Sequence, residues 1–87
     1  TTPYQSSVFF DGSELIKTRR GLFDGLKVHS SGIIFATGPG GVLVLDPEGN
    51  HLGSIRSYGP TANCAFDPQE DYLYLTSNAV LGRIKLN

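Results

Sequence analysis

Apolar residues fall in short runs along this chain: Val8-Phe9-Phe10, Ile33-Ile34-Phe35-Ala36, Val42-Leu43-Val44-Leu45 and Tyr72-Leu73-Tyr74-Leu75. Each run is followed within a few residues by Gly, Pro, Asn or Asp. That punctuation is the mark of strands parted by tight turns. Nowhere do apolar positions recur at i, i+3, i+4 and i+7 for long enough to make an amphipathic helix, and 11 glycines with 5 prolines oppose one further. The pattern predicts an all-β fold. Asp11-Gly12, Ser30-Ser31-Gly32, Asp46-Pro47-Glu48-Gly49-Asn50 and Asp67-Pro68-Gln69-Glu70-Asp71 supply the turns: Asp opens the turn, Pro sets φ and Gly accepts positive φ. The strands expected between turns run over 4–10, 14–19, 24–29, 33–37, 42–46, 51–57, 62–67, 72–77 and 80–86.

Short strands at near-even spacing point to repetition, and the chain repeats. The stretch from Leu26 to Thr37 lies against Cys64 to Thr76 with one residue inserted in the turn. Beyond it, Gly41-Val42-Leu43-Val44-Leu45 falls against Ala79-Val80-Leu81-Gly82-Arg83, and upstream Phe9-Phe10-Asp11 falls against Val44-Leu45-Asp46. A period of about forty residues with four antiparallel strands per unit is the signature of a β-propeller blade. On this count residues 4–19 supply two outer strands of one blade, 24–57 a whole blade and 62–86 three inner strands of another. The chain is expected to be a sector of a ring, about two four-stranded blades of it. The outermost strand that the last blade lacks is often supplied by a propeller's N-terminus, so residues 81–87 read as a natural C-terminus. A chain that opens Thr1-Thr2-Pro3 and contains no methionine is expected to be a processed, trimmed or excised piece.

Composition narrows the function. With 39% hydrophobic and 17% charged residues and a net charge of -1, the chain is too apolar for disorder and too neutral for nucleic-acid binding. At 87 residues it is a single small domain, which excludes a multidomain enzyme. No apolar run approaches a membrane span, so no membrane partner is expected. The lone Cys64 excludes an internal disulfide and points to a reducing, cytoplasmic setting. Its run of small and apolar neighbours predicts a buried, inert thiol, and no second cysteine or nearby histidine gives a zinc spacing. His29 and His51 fall in or beside turns and are expected to be solvated, which leaves no Ser-His-Asp or Cys-His arrangement. Gly38-Pro39-Gly40-Gly41 completes no phosphate-loop motif and is expected to be the turn into strand 42–46. Lys17, Arg19 and Arg20 are expected to form a charged, solvated edge.

Asp24 stands apart. In Gly21-Leu22-Phe23-Asp24-Gly25-Leu26-Lys27-Val28 it enters the innermost strand of the complete blade, at the position Ala62 holds in the next. Asp-Gly is an ordinary turn pair, and that explanation stands. The alternative follows from propeller geometry, in which the first residues of the inner strands converge on the axis. A carboxylate there would face the central funnel, where oxygens from several blades can hold a hard divalent cation.

The order and spacing of Phe23-Asp24-Gly25-Leu26-Lys27-Val28, Gly32-Ile33-Ile34-Phe35-Ala36-Thr37, the segment from Gly40 to Gly49, Leu52-Gly53-Ser54-Ile55, Thr61-Ala62-Asn63-Cys64-Ala65-Phe66 and Tyr72-Leu73-Tyr74-Leu75-Thr76 resemble the C-terminal part of the senescence marker protein, gluconolactonase and luciferin-regenerating enzyme family. The resemblance implies a six-bladed propeller that hydrolyses sugar lactones or related esters with one divalent cation on its axis. It implies Ca2+ first, with Zn2+ or Mn2+ as alternatives. Asp24 matches the family's aspartate that ligates the metal and handles the proton in ring opening; Phe23 stands where the family usually has Pro. His29 and Ser30 replace acidic residues common in that turn, and Asn63 is carried only as a pocket-lining residue for substrate. The family's other ligands have no counterpart here.

The expected partners are a small-molecule lactone or ester and the remaining blades, from the same protein or another chain. The isolated chain is expected to be inactive without them. Two other readings stand beside this one: a non-catalytic propeller piece that assembles with itself or a partner through exposed blade edges, and the same axial metal acting on organophosphates or other esters.

Overall fold

A computed structural model describes residues 5–57 and 59–86. Tyr4, at the head of the expected strand 4–10, lies outside the described residues, as do residues 1–3, Tyr58 and Asn87. Seven strands form: β1 (Leu26–Val28), β2 (Ile34–Gly38), β3 (Gly41–Leu45), β4 (His51–Arg56), β5 (Thr61–Phe66), β6 (Tyr72–Ser77) and β7 (Val80–Lys85). They make two antiparallel sheets, four strands in the order β1-β2-β3-β4 and three in the order β5-β6-β7. The division falls where the repeat placed it, between 24–57 and 62–86, with β5 beginning one residue earlier, at Thr61.

The two sheets share one register. Leu26 pairs Ala36 and Val28 pairs Ile34 in the first; Cys64 pairs Leu75 and Phe66 pairs Leu73 in the second. One detail of the repeat is corrected at the third strand. Gly38 pairs Gly41, and Ser77 pairs Val80, so both hairpins have two-residue loops. Gly41 therefore corresponds to Val80, one residue beyond the Ala79 expected from apolar matching, because equal loops carry the offset unchanged through the turn.

Turn chemistry accounts for the joints. The Asp46 carboxylate accepts from the N–H groups of Glu48 (3.0 Å) and Asn50 (2.8 Å) and from the Asn50 amide (2.9 Å), and these bonds, the Asn50 amide first, lower its pKa. Asp67 accepts from the Tyr72 N–H at 2.8 Å. Pro39-Gly40 forms the β2–β3 turn, with Gly40 at φ +88° where a side chain would be strained.

The expected strands 4–10 and 14–19 do not form among the described residues. Asp11 accepts the N–H of Ser13 at 2.9 Å, and Leu15 and Ile16 donate back to the Gly12 carbonyl, which winds residues 15–17 into one turn of 3-10 helix. The local turn bonds of Asp11 and Gly12 here outcompete a strand. The segment instead lies along the first sheet: Phe9 meets Gly49, Phe10 stacks edge-on against His51, and Phe23 covers Gly38.

The core sits between the sheets. Phe35 and Val42 from the first meet Cys64, Leu73 and Leu75 from the second, with Ile33, Val44, Ile55, Phe66 and Ile84 around them. Ala36, Leu43 and Leu45, on the other face of the first sheet, are buried as well. That explains why β2 and β3 are almost uniformly apolar, while β6 alternates buried Leu73, Leu75 and Ser77 with more open Tyr72, Tyr74 and Thr76.

Candidate functional site

Asp24 is placed by its backbone. Its N–H donates to the Thr37 carbonyl at 3.2 Å, the Gly25 N–H donates to Thr37 Oγ1 at 2.7 Å, and the Thr37 N–H returns a bond to the Gly25 carbonyl at 2.8 Å. Thr37 is fully buried, and its hydroxyl lies 3.0 Å from the Gly25 carbonyl and 3.4 Å from that of Ala62, tying the entry of β1 to that of β5. Gly25 is needed for this approach: a Cβ would come within 2.5 Å of Asn63 Oδ1 and 3.2 Å of the Ala62 carbonyl. A polar residue buried at the end of an apolar strand was the available signal for Thr37, and sequence reasoning missed it.

On this rigid footing the Asp24 side chain is exposed and lines an open cleft of about 660 Å³ with Leu22, Phe23, Pro60, Ala62, Thr76 and Asn78. Among the described residues its carboxylate has no hydrogen-bond or ionic partner. Phe23 brings no obstruction of its own, because its ring packs over Gly12 and Gly38 and meets Phe10 edge-on at 6.3 Å. Asn63 does not line this cleft. Its Oδ1 accepts from the Cys64 N–H at 2.8 Å and from Lys27 Nζ at 3.4 Å, and the residue borders an apolar hollow with Cys64, Tyr74 and Leu81.

A hard divalent cation takes six or more oxygens. Among the described residues no group of three or more His, Cys, Asp or Glu could hold a metal, so Asp24 fits the chemistry of one ligand of such a shell. Cys64 is buried, its thiol pKa raised by burial, and its S–H points to the Phe35 carbonyl at 3.7 Å, as an inert thiol should. No helix among the described residues is long and apolar enough to cross a membrane.

The opposite end of the sheets holds a contrasting cluster. Glu70, at φ +58°, accepts from both the N–H (2.9 Å) and the hydroxyl of Ser30, and His29 Nε2 lies 3.6 Å from its Oε1. The Ser30 hydroxyl is the main cause of a Glu70 pKa held below the usual carboxylate range. The expectation of solvated histidines is corrected by this packing: His29 is half-buried, edge-on to Phe66 at 5.3 Å, and His51 is half-buried beside Phe10. Each turn histidine is covered by a neighbouring segment that local sequence does not place next to it.

No protein-family model matches the chain. Two curated proteins do. A gluconolactonase of Zymomonas mobilis is 31% identical over 67 residues, 75% of this chain and 19% of its own length. Lactonohydrolase oryH of Aspergillus oryzae is 34% identical over 94 residues, 99% of this chain and 20% of its own. The chain thus spans about a fifth of the length of these relatives. Among solved structures, XC5397 from Xanthomonas campestris, described as a gluconolactonase important in glucose secondary metabolic pathways, superposes with a TM-score of 0.77 at 30% identity, over 91% of this chain and 25% of that one. These matches bear out the resemblance to the senescence marker protein and gluconolactonase family, over a part of its members' length.

Proposed function

We propose that residues 1–87 are a sector of a β-propeller lactone hydrolase acting on sugar lactones, with Asp24 as one ligand of an axial divalent cation and as proton acceptor. The observation that carries this reading is the Asp24 carboxylate, unpartnered among the described residues, held on a buried Thr37 scaffold and opening into a cleft. A functional carboxylate needs that combination, whereas a structural one is consumed by its neighbours. The names of the relatives support the substrate class.

In this mechanism Asp24 accepts a proton from the water that attacks the lactone carbonyl. A bound cation, Ca2+ first and Zn2+ or Mn2+ as alternatives, supplies Lewis-acid polarisation of that carbonyl. Thr37 and Gly25 hold the Asp24 main chain, and Leu22, Phe23 and Pro60 give the cleft an apolar wall against which a sugar ring can rest. Asn63 serves at most the periphery of that pocket. The remaining oxygens come from other blades, in the same protein or another chain, in a cytoplasmic setting.

A pH-stat assay with gluconolactone and added Ca2+, Mn2+ or Zn2+ tests the reading. The complete protein is expected to turn over and to lose activity on chelation, whereas residues 1–87 alone are expected to be inactive. Turnover by a verified monomer of 1–87 would overturn the requirement for further blades. A second reading, assembly without catalysis, rests on the outer strand edges of β4 and β7 and on Leu81, which is 73% exposed. Native mass separates them, since a metal-independent, inactive ring of identical chains fits only the second.

A further inference from the structure

Of the basic residues that read as a solvated edge, Lys17 pairs with Glu14, while Arg19 and Arg20 are joined by the fold to Arg56. Arg19 and Arg20, just past the 3-10 helix, and Arg56, the last residue of β4, line a single open cleft of about 540 Å³ with Thr18, Ser54 and Ser57. Among the described residues no carboxylate lines the cleft and none of the three guanidiniums has an ion pair. Like charges drawn together without a counter-charge repel one another, and an anion between them reverses the sign of that interaction.

The cleft is also built rather than merely charged. The Arg19 stem lies across Gly40, where a Cβ would come within 2.9 Å of its Cδ, and Arg19 Nη1 donates to Ser54 Oγ at 3.1 Å. The Gly40 N–H donates to the Arg20 carbonyl at 2.8 Å, and Arg56 stands opposite Gly41 in the β3–β4 register. One tight turn therefore sets the position of the segment bearing Arg19 and Arg20, and the neighbouring strand brings Arg56 to it. Guanidinium groups offer planar forks of N–H donors matched to phosphate oxygens, and the Thr18 hydroxyl adds a further donor.

We infer that this cleft is a binding site for a small phosphate-type oxyanion, either free or carried as a phosphoryl group on a small sugar. It lies at the same end of the sheets as Asp24, with Gly59 lining one cleft and Pro60 the other, but it uses none of the residues assigned to hydrolysis.

The test is calorimetric titration of the full protein with inorganic phosphate at low ionic strength, with sodium chloride matched in ionic strength as control. Saturable one-to-one binding is expected. Arg56→Gln and Arg19→Gln should each weaken it about tenfold or more, as loss of a charge-assisted hydrogen bond does. Asp24→Asn should leave it unchanged, which separates this site from the proposed hydrolytic one. All three arginines are exposed, so the variants should keep the parent circular dichroism, and Thr18→Ala, also exposed, offers a milder check with a smaller loss. Glucose 6-phosphate binding tighter than phosphate, with the same Arg56 dependence, assigns the ligand to a phosphorylated sugar; equal affinities assign it to the free anion. Heat that chloride reproduces, or phosphate binding that survives Arg56→Gln and Arg19→Gln intact, overturns the inference.

Discussion

The two ends of the paired sheets use a carboxylate in opposite ways. Glu70 is consumed by the fold: Ser30 donates to it from backbone and hydroxyl, His29 lies beside it, and the contact links the β5–β6 turn to the β1–β2 turn of the other sheet. Asp24 has no side-chain partner among the described residues, while its main chain is fastened through Thr37 and Gly25. The difference teaches how to read a carboxylate in a small β domain. One that satisfies its neighbours joins elements, and one held by its main chain but spared by its neighbours is available to a ligand.

The contrast can be broken at several levels. The largest effect is expected at the free end, where Asp24→Asn in the complete protein should lower lactone turnover by about 10²–10⁴-fold, the range for loss of a positioned proton acceptor. Melting temperature should stay near that of the parent, because the carboxylate joins nothing in this chain. A variant that melts early but keeps its activity would invert the assignment. Next comes the floor common to both ends. Leu73 is fully buried between the sheets, so Leu73→Ala should cost about 2–5 kcal/mol by denaturant unfolding and loosen both ends together.

Gly25→Ala probes the footing of Asp24 alone. Its Cβ would press on Asn63 Oδ1 at 2.5 Å and on the Ala62 carbonyl at 3.2 Å, so a loss of about 1–3 kcal/mol is expected, with activity falling further than stability explains. Parent-like stability and activity would show that the approach of β1 to β5 is not tight. The smallest effect belongs to the satisfied end, in Glu70→Gln. The folded Glu70 has a pKa below its unfolded value, so its contribution is present above the unfolded value and is lost as pH falls through the folded one. Parent and variant should differ in melting temperature at pH 7 and converge in acid. Equal melting temperatures at pH 7 would mean that this link holds nothing.

Much of this was legible from local pattern. Alternation, turn residues and the repeat located the strands from 24 onward, and the common register Leu26–Ala36 and Cys64–Leu75 is that repeat seen in space. Asp24 was legible for the same reason, as an acidic residue where the next unit carries Ala62. The strands expected over 4–10 and 14–19 failed because an isolated apolar run reads alike whether it pairs or packs, and backbone bonds from Leu15 and Ile16 to the Gly12 carbonyl turned part of the second into a 3-10 turn. The His29 and Glu70 contact was not legible, since it spans 41 residues and two separate turns, each ordinary by itself.

Sequence alone was enough for what depends on near neighbours: the all-β class, the hairpins with their Asp, Pro and Gly turns, and the buried Cys64. These follow from steric rules and burial periods that act over a few residues. Which polar groups meet was settled by packing the two sheets. Thr37 became a scaffold, Glu70 a fastener, and Arg56 a partner for Arg19 and Arg20, because chain reversal and sheet stacking bring together residues whose separation along the chain carries no trace of the encounter.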